Sequence, residues 1–323
     1  MSTEKTLTLV QRSFRLEGHG GLGRRPRPEL IGPVLSGPHD SLQDAVRMGF
    51  LHSSRPRGRV QKALKRAADV RFVGHEGSGN GLTILHFELP SFGSAAPAFF
   101  EQPTLWDDGP RQDDTAFEAF GAALTDVAAM KTESSRFDPP LLRRIGRYGV
   151  ALKRGIERLS LMDGGVASPH IDTQVVQAAT RLAAVTPRPQ RVRVAGRLDL
   201  MGASQSVLKI EVQPGEFVTV LWQAEEPIED YRDLFNTDVV VEGLAVFRPS
   251  GTVLRIDADV VAAASQQEGL FRRVPHAAIA RDYQRAARLK PNEPSAYRSL
   301  RGSMPTEAGE SDDDFLRALA ELR

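Results

Sequence analysis

Arg191-Val192-Arg193-Val194-Ala195-Gly196-Arg197-Leu198-Asp199-Leu200 alternates polar and apolar side chains, the period-2 pattern of a strand with one face in a core. Gly196 sits where a bulge would let such a long first strand bend. The alternation then recurs. Leu208, Ile210 and Val212 give a second strand, Pro214-Gly215 a turn, and Val218, Val220 and Trp222 a third. Glu226 to Phe235 reads as a short helix, and Val239 to Phe247 and Thr252 to Ala258 flank the turn Pro249-Ser250-Gly251 as fourth and fifth strands.

Five strands with a helix between the third and fourth follow the plan of an OB-fold, which can bind single strands through strands two and three and their flanking loops. The expectation for residues 190–264 is therefore a small five-stranded, OB-like antiparallel β-barrel. Phe217, Trp222 and Phe247 are candidate stacking platforms, with Arg197, Lys209, Arg248 and Arg255 as phosphate contacts. Glu211, Glu216, Glu225, Glu226, Glu229 and Asp230 lie on or beside the same strands and would repel phosphate. Trp222 continues the Val218, Val220 alternation and belongs to the core on that pattern. Residues 190–260, opening on Arg193-Val194-Ala195-Gly196-Arg197-Leu198-Asp199 and closing on Val241-Glu242-Gly243-Leu244-Ala245-Val246-Phe247-Arg248-Pro249-Ser250-Gly251, resemble the OB-like barrel of uncharacterised bacterial proteins. The resemblance implies a fold and no activity.

Upstream, residues 1–185 read as a mixed α+β domain, so the class of the whole chain is α+β. Thr6 to Val10 and Phe14 to Leu16 suggest an opening strand, and Ser41 to Leu51 a helix. Asp69 to His75 and Leu82 to Glu88 flank Gly77-Ser78-Gly79-Asn80-Gly81, whose residues accept positive φ, and predict a β-hairpin. His75 and His86 would face each other across it, but two imidazoles fall short of the three or four ligands of a zinc site. Thr115 to Met130 and Leu141 to Leu161 are helical by periodicity. On the second of these, Arg143, Arg147, Arg154 and Arg158 fall in one wedge opposite Ile145, Leu152, Ile156 and Leu159, giving a basic face for phosphates or an acidic protein. Breaker-rich stretches at Gly18 to Gly37, Thr186-Pro187-Arg188-Pro189 and Pro291 to Gly309 mark boundaries.

Residues 265–323 are expected to be a linker and a C-terminal amphipathic tail. Pro291 to Glu310 is poor in apolar residues and suits a flexible tether. In Ser311 to Arg323, Ser311 can cap a helix, Asp312 to Asp314 suit its positive end, and Phe315, Leu316, Leu319 and Leu322 form one apolar stripe. That stripe is the candidate partner-binding surface. The tail also resembles, in Gly309, Asp312, Asp313, Phe315, Leu316, Leu319 and Leu322, the C-terminal segments of bacterial antitoxins that wrap a PIN-domain ribonuclease. It departs from them in lacking a recognisable N-terminal DNA-binding fold.

Composition bounds the function. The chain has 323 residues, 42 Lys plus Arg against 41 Asp plus Glu, and no cysteine. The missing thiol rules out disulfides, cysteine-bound metals and a cysteine nucleophile within it. The charge is blocked, with residues 1–75 and 141–210 net basic and 76–140 and 211–270 net acidic, so the blocks can neutralise one another. No run approaches the ~18 apolar residues of a spanning helix, and the N-terminus lacks a signal-like core. A cytoplasmic protein with no membrane association is expected. Gly18-His19-Gly20-Gly21-Leu22-Gly23 lacks the Lys-Ser or Lys-Thr of a phosphate loop, and the seven histidines are scattered. No catalytic residue, cofactor or metal is assigned. The reading is a non-enzymatic adaptor or regulator that binds a protein partner through its tail or barrel, and the resemblance of the tail implies an antitoxin-like neutraliser of a PIN-type ribonuclease. The alternative is a nucleic-acid-binding protein using the basic helix 141–161 and the barrel.

Overall fold

A computed structural model describes residues 7–19, 22–56, 61–78, 81–100, 109–163, 166–202, 207–222 and 232–277. They contain both helices and strands and belong to the α+β class. Residues 1–279 cluster as one compact unit, and the second unit, 280–323, is outside the described residues.

The first half is a five-stranded antiparallel sheet ordered β2-β3-β1-β4-β5, built from β1 (Leu9–Gly18), β2 (Arg71–Ser78), β3 (Leu82–Pro90), β4 (Ile156–Asp163) and β5 (Val166–Ile171). The expected hairpin is β2 and β3, turning at Gly81 with φ +72°. His75 pairs in register with Leu85, and His86 with Gly74, so the two imidazoles are not opposed. His86 Nδ1 instead lies 2.8 Å from Ser13 Oγ.

Phe14, Leu16, Leu85, Phe87 and Leu161 are buried from the sheet. They share one core with buried side chains of α1 (Pro28–Leu51), α2 (Lys62–Ala67), α3 (Phe92–Ala95), α4 (Ala116–Ala128), α5 (Pro139–Arg147), α6 (Gly149–Leu152) and α7 (Thr173–Val185). α1 starts well before Ser41, inside the stretch whose glycines and prolines suggest a boundary, and carries Pro33 and Pro38 internally. Pro33 cannot donate to the Glu29 carbonyl one turn back, and the Arg154 guanidinium reaches that oxygen at 3.5 Å. Burial of Val34, Leu42 and Val46 outweighs the breakers. α4 begins with a full capping box between Thr115 and Glu118, and Glu118 also ties the helix to β1 through Arg12 at 2.6 Å.

The expected helix over 141–161 is corrected. The chain forms α5, the single turn α6 (Gly149–Leu152), a reversal at Gly155 with φ +109°, and then strand β4. Leu159 and Leu161 alternate with Arg158 and Ser160, a period that a short apolar segment shares with a helix over one or two turns. The consequence is that the basic face of four arginines does not exist. Arg143 and Arg147 are exposed on α5, Arg154 follows α6, and Arg158 pairs in register with Glu17 in the sheet.

The second half is a closed five-stranded barrel of β6 (Gln190–Gly202), β7 (Val207–Gln213), β8 (Glu216–Trp222), β9 (Asp238–Phe247) and β10 (Val253–Ala263). Four seams are antiparallel and the β8·β10 seam is parallel, which corrects the all-antiparallel expectation. A closed ring with an odd number of strands cannot alternate direction at every seam. Gly196 serves close approach, since a Cβ there would lie 2.6 Å from the Glu211 carbonyl oxygen; the register shift against β7 falls between Leu198 and Leu200. Val194, Ile210, Val220, Trp222, Val241 and Phe247 fill the interior. Of the segment read as the helix Glu226 to Phe235, residues 226–231 are outside the described residues. The 3-10 turn Gln266–Phe271 lies along β6, and Ala277 is buried in the barrel core, so this packing runs past residue 264.

Val207, Leu221, Val246 and Leu254 point out of the barrel and join the core of the α+β half. No helix among the described residues is long and apolar enough to cross a membrane.

Candidate binding groove between the barrel and the first domain

Strand alternation decides what the outside of β7 and β8 presents. Leu208, Ile210 and Val212 point into the barrel, so Val207, Lys209 and Glu211 point out. Opposite them, Leu221, Thr219 and Phe217 are their register partners on β8. This outer face meets the C-terminal end of α1. Between them, with Phe50, Phe99, Phe100 and Arg248 on the walls, lies a cavity of about 360 Å³. Among the described residues that line it are two cations, Lys209 and Arg248, four phenylalanines and no carboxylate.

His52 is among the residues that line this cavity. It caps α1 in the left-handed conformation, φ 52°, and its carbonyl accepts a hydrogen bond from Arg255 Nη1 at 2.7 Å. Burial, and then the charges of Lys209, Arg255 and Arg248, push its imidazole down to about 4, so it is neutral at physiological pH. His52 also lines a second cavity of about 330 Å³, which shares Gly49, Gly109, Pro110 and Ser135 with the first. Its lining is more charged, with Arg111, Asp114, Glu118 and Arg136.

Arg248 follows β9 and lines the cavity. Its Nη1 donates to the Val253 carbonyl, while its buried Nε has no hydrogen-bond partner. Burial holds the guanidinium below its ordinary value, and Glu133 offsets part of that. Burial pushes the Glu133 carboxyl up, but hydrogen bonds from Ser250 and Thr252 and the charges of Arg248 and His276 outweigh it, leaving the group below the usual range. Glu133 and Glu216 line a more open recess next to the groove, which it joins through Phe217 and Arg248.

The structure therefore brings Lys209, Arg248 and Phe217 together and separates them from the other candidates. Arg197 is exposed and bonded to Asn236. Trp222 and Phe247 are interior to the barrel. Arg255 is buried in the seam between the halves. Arg143, Arg147, Arg154 and Arg158 line none of the cavities just described. Phe315, Leu316, Leu319 and Leu322 lie outside the described residues. Sequence reasoning missed His52, Phe50, Phe99 and Phe100, which contribute through tertiary contact and carry no local motif. It also missed Arg144, drawn from α5 to Asp40 and Asp44 of α1. Among the described residues no group of three His, Asp or Glu side chains could hold a metal ion. No protein-family model, curated protein or solved structure matches the chain.

Proposed function

We propose that the protein is a non-enzymatic binding protein that holds single-stranded nucleic acid against the outer face of β7 and β8. The observation that carries this reading is the groove in which Lys209 and Arg248 lie beside Phe217 and Phe100, the two half-buried rings among its four phenylalanines, with no carboxylate among its described lining residues. Cations that track phosphates and aromatic rings on which bases stack are the two requirements of sequence-tolerant single-strand binding, and strands two and three are where an OB-like barrel meets them. Of the acidic residues that argue against it on sequence, Glu211 is engaged by the Gly215 amide at 2.9 Å, and Glu133 of the neighbouring recess accepts from Thr252 at 2.7 Å.

The test is fluorescence anisotropy of a labelled dodecanucleotide. Wild type should bind with an affinity that falls as salt rises, and Lys209→Glu should weaken binding at least tenfold while leaving the thermal transition in place. Equal binding by wild type and Lys209→Glu would remove the reading. A protein-adaptor role for the tail is a separate proposal resting on the stripe Phe315, Leu316, Leu319 and Leu322, and co-purification of a protein partner with the full chain but not after deletion of residues 310–323 would support it.

A further inference from the structure

We propose that the two cavities meeting at His52 form one nucleotide pocket, which takes a single base together with its phosphate. The ligand chemistry is that of a nucleoside monophosphate, supplied either free or as one unpaired nucleotide of a strand. This deepens the nucleic-acid reading and rests on it only for the second of those sources.

Size is the first support. The cavities, at about 330 and 360 Å³, each lie near the lower end of the roughly 300–1,000 Å³ of small-molecule sites, so the two together have room for one base with its phosphate and too little for a run of nucleotides. The division of chemistry between the two chambers is the second. Arg248 and Lys209 line the chamber against the barrel, where a phosphate would sit. Phe100 and Phe217, both half-buried, give the same chamber aromatic surface against which a base can stack, while Phe50 and Phe99 are buried in the core. The other chamber adds Asp114 and Arg136, an acceptor and a donor of the kind that read a base edge, beside Glu118, whose oxygens already accept from Arg12 and Thr115. His52 borders both chambers. A neutral imidazole offers one donor and one acceptor there, where a third cation beside Lys209 and Arg248 would offer donors alone. The orphaned Arg248 Nε–H is the third support, because a buried donor without a partner is one that a ligand oxygen can satisfy.

The experiment is calorimetric titration of the full chain with each of four ribonucleoside monophosphates, the matching nucleosides and inorganic phosphate, for wild type and Ala122→Leu. Of the two chambers Ala122, on α4, lines only the one without Lys209 and Arg248, so the larger side chain fills that chamber and leaves those two cations in place. At least one monophosphate should bind ten times more tightly than phosphate and its own nucleoside, and Ala122→Leu should remove that advantage. Binding of all monophosphates at the level of phosphate, unchanged by Ala122→Leu, would overturn the proposal. His52→Ala, which enlarges the pocket, should change the preference among bases, and an unchanged preference would count against it. If Ala122→Leu does not fold, the His52→Ala preference decides. Competition of the monophosphate against a labelled dodecanucleotide separates the sources: displacement identifies the strand's own nucleotide as ligand, and binding without displacement identifies a free one. A dodecanucleotide that binds when no monophosphate does overturns the pocket and spares the groove. A monophosphate that binds when no strand does overturns the groove and spares the pocket.

Discussion

Arg255 Nη1 lies 3.5 Å from Asp138 Oδ2, the arginine side chain 6 % exposed and the carboxylate fully buried, and this pair joins the barrel to the α+β half. Neither group is satisfied by the other alone. Arg255 also bonds Asp257 at 2.6 Å and the His52 carbonyl, while Asp138 accepts from the Ser54 amide and hydroxyl and caps α5 at Leu141. The same contact that locks the two halves thus fixes the backbone of a residue that lines the groove.

Removing one member should leave a buried charge without its partner. Asp138→Ala is expected to destabilise the protein by about 3–5 kcal/mol, and Arg255→Met by a comparable amount. The double variant should lose less than the sum of the two single losses, because the shared interaction is counted once. Chemical denaturation of the three variants measures this, and strict additivity would show that the pair is not energetically coupled.

Acidification should loosen the same region through His52. Its imidazole titrates near 4 in the folded protein and near 6.5 when unfolded, so between those values the unfolded chain binds the extra proton. Stability should therefore fall as pH drops from about 6.5 towards 4, by up to about 3 kcal/mol from this residue. His52→Gln should flatten that part of the profile. A wild-type stability that rises on acidification across the window would contradict the placement of His52.

Barrel closure depends on a residue without a side chain. A Cβ on Gly243 would stand 2.2 Å from the Asp257 carbonyl oxygen across the β9·β10 seam, and that oxygen is backbone with no freedom to move aside. Gly243→Ala should lower stability by several kcal/mol or prevent folding. Gly74→Ala, in the exposed strand β2 with nothing within 4 Å of the added atom, should be tolerated. Equal melting temperatures for the two variants would show that the seam can open.

What the sequence makes legible follows from how local each signal is. The barrel strands, the β2–β3 hairpin and the capped helix α4 each carry a complete pattern within a dozen residues. The stretch 141–161 misleads because its apolar residues satisfy a helical period, while Gly155, where the chain reverses with positive φ, has weight only once the sheet has a place for β4. The groove is half legible. Lys209, Arg248 and Phe217 follow from the strand pattern, whereas His52 and the Phe50, Phe99, Phe100 cluster reach the site from elements 100 and more residues away and leave no spacing to read.

Charge reversal separates the groove from the arginines that the helical reading brings together. Arg143→Glu with Arg147→Glu should reduce oligonucleotide affinity only modestly, through long-range repulsion that higher salt screens, and less than Lys209→Glu alone. An anisotropy series showing the reverse order would move the interface to α5.

The central claim is that a strand lies on the outer face of β7 and β8, and photochemical crosslinking with an iodouridine-containing dodecanucleotide, mapped by peptide mass spectrometry, tests it most directly. The account predicts crosslinks to Phe217 and to the peptide carrying Phe99 and Phe100, lost in Lys209→Glu. Crosslinks confined to α5 or to the sheet of the first half, with none on β8, would contradict it.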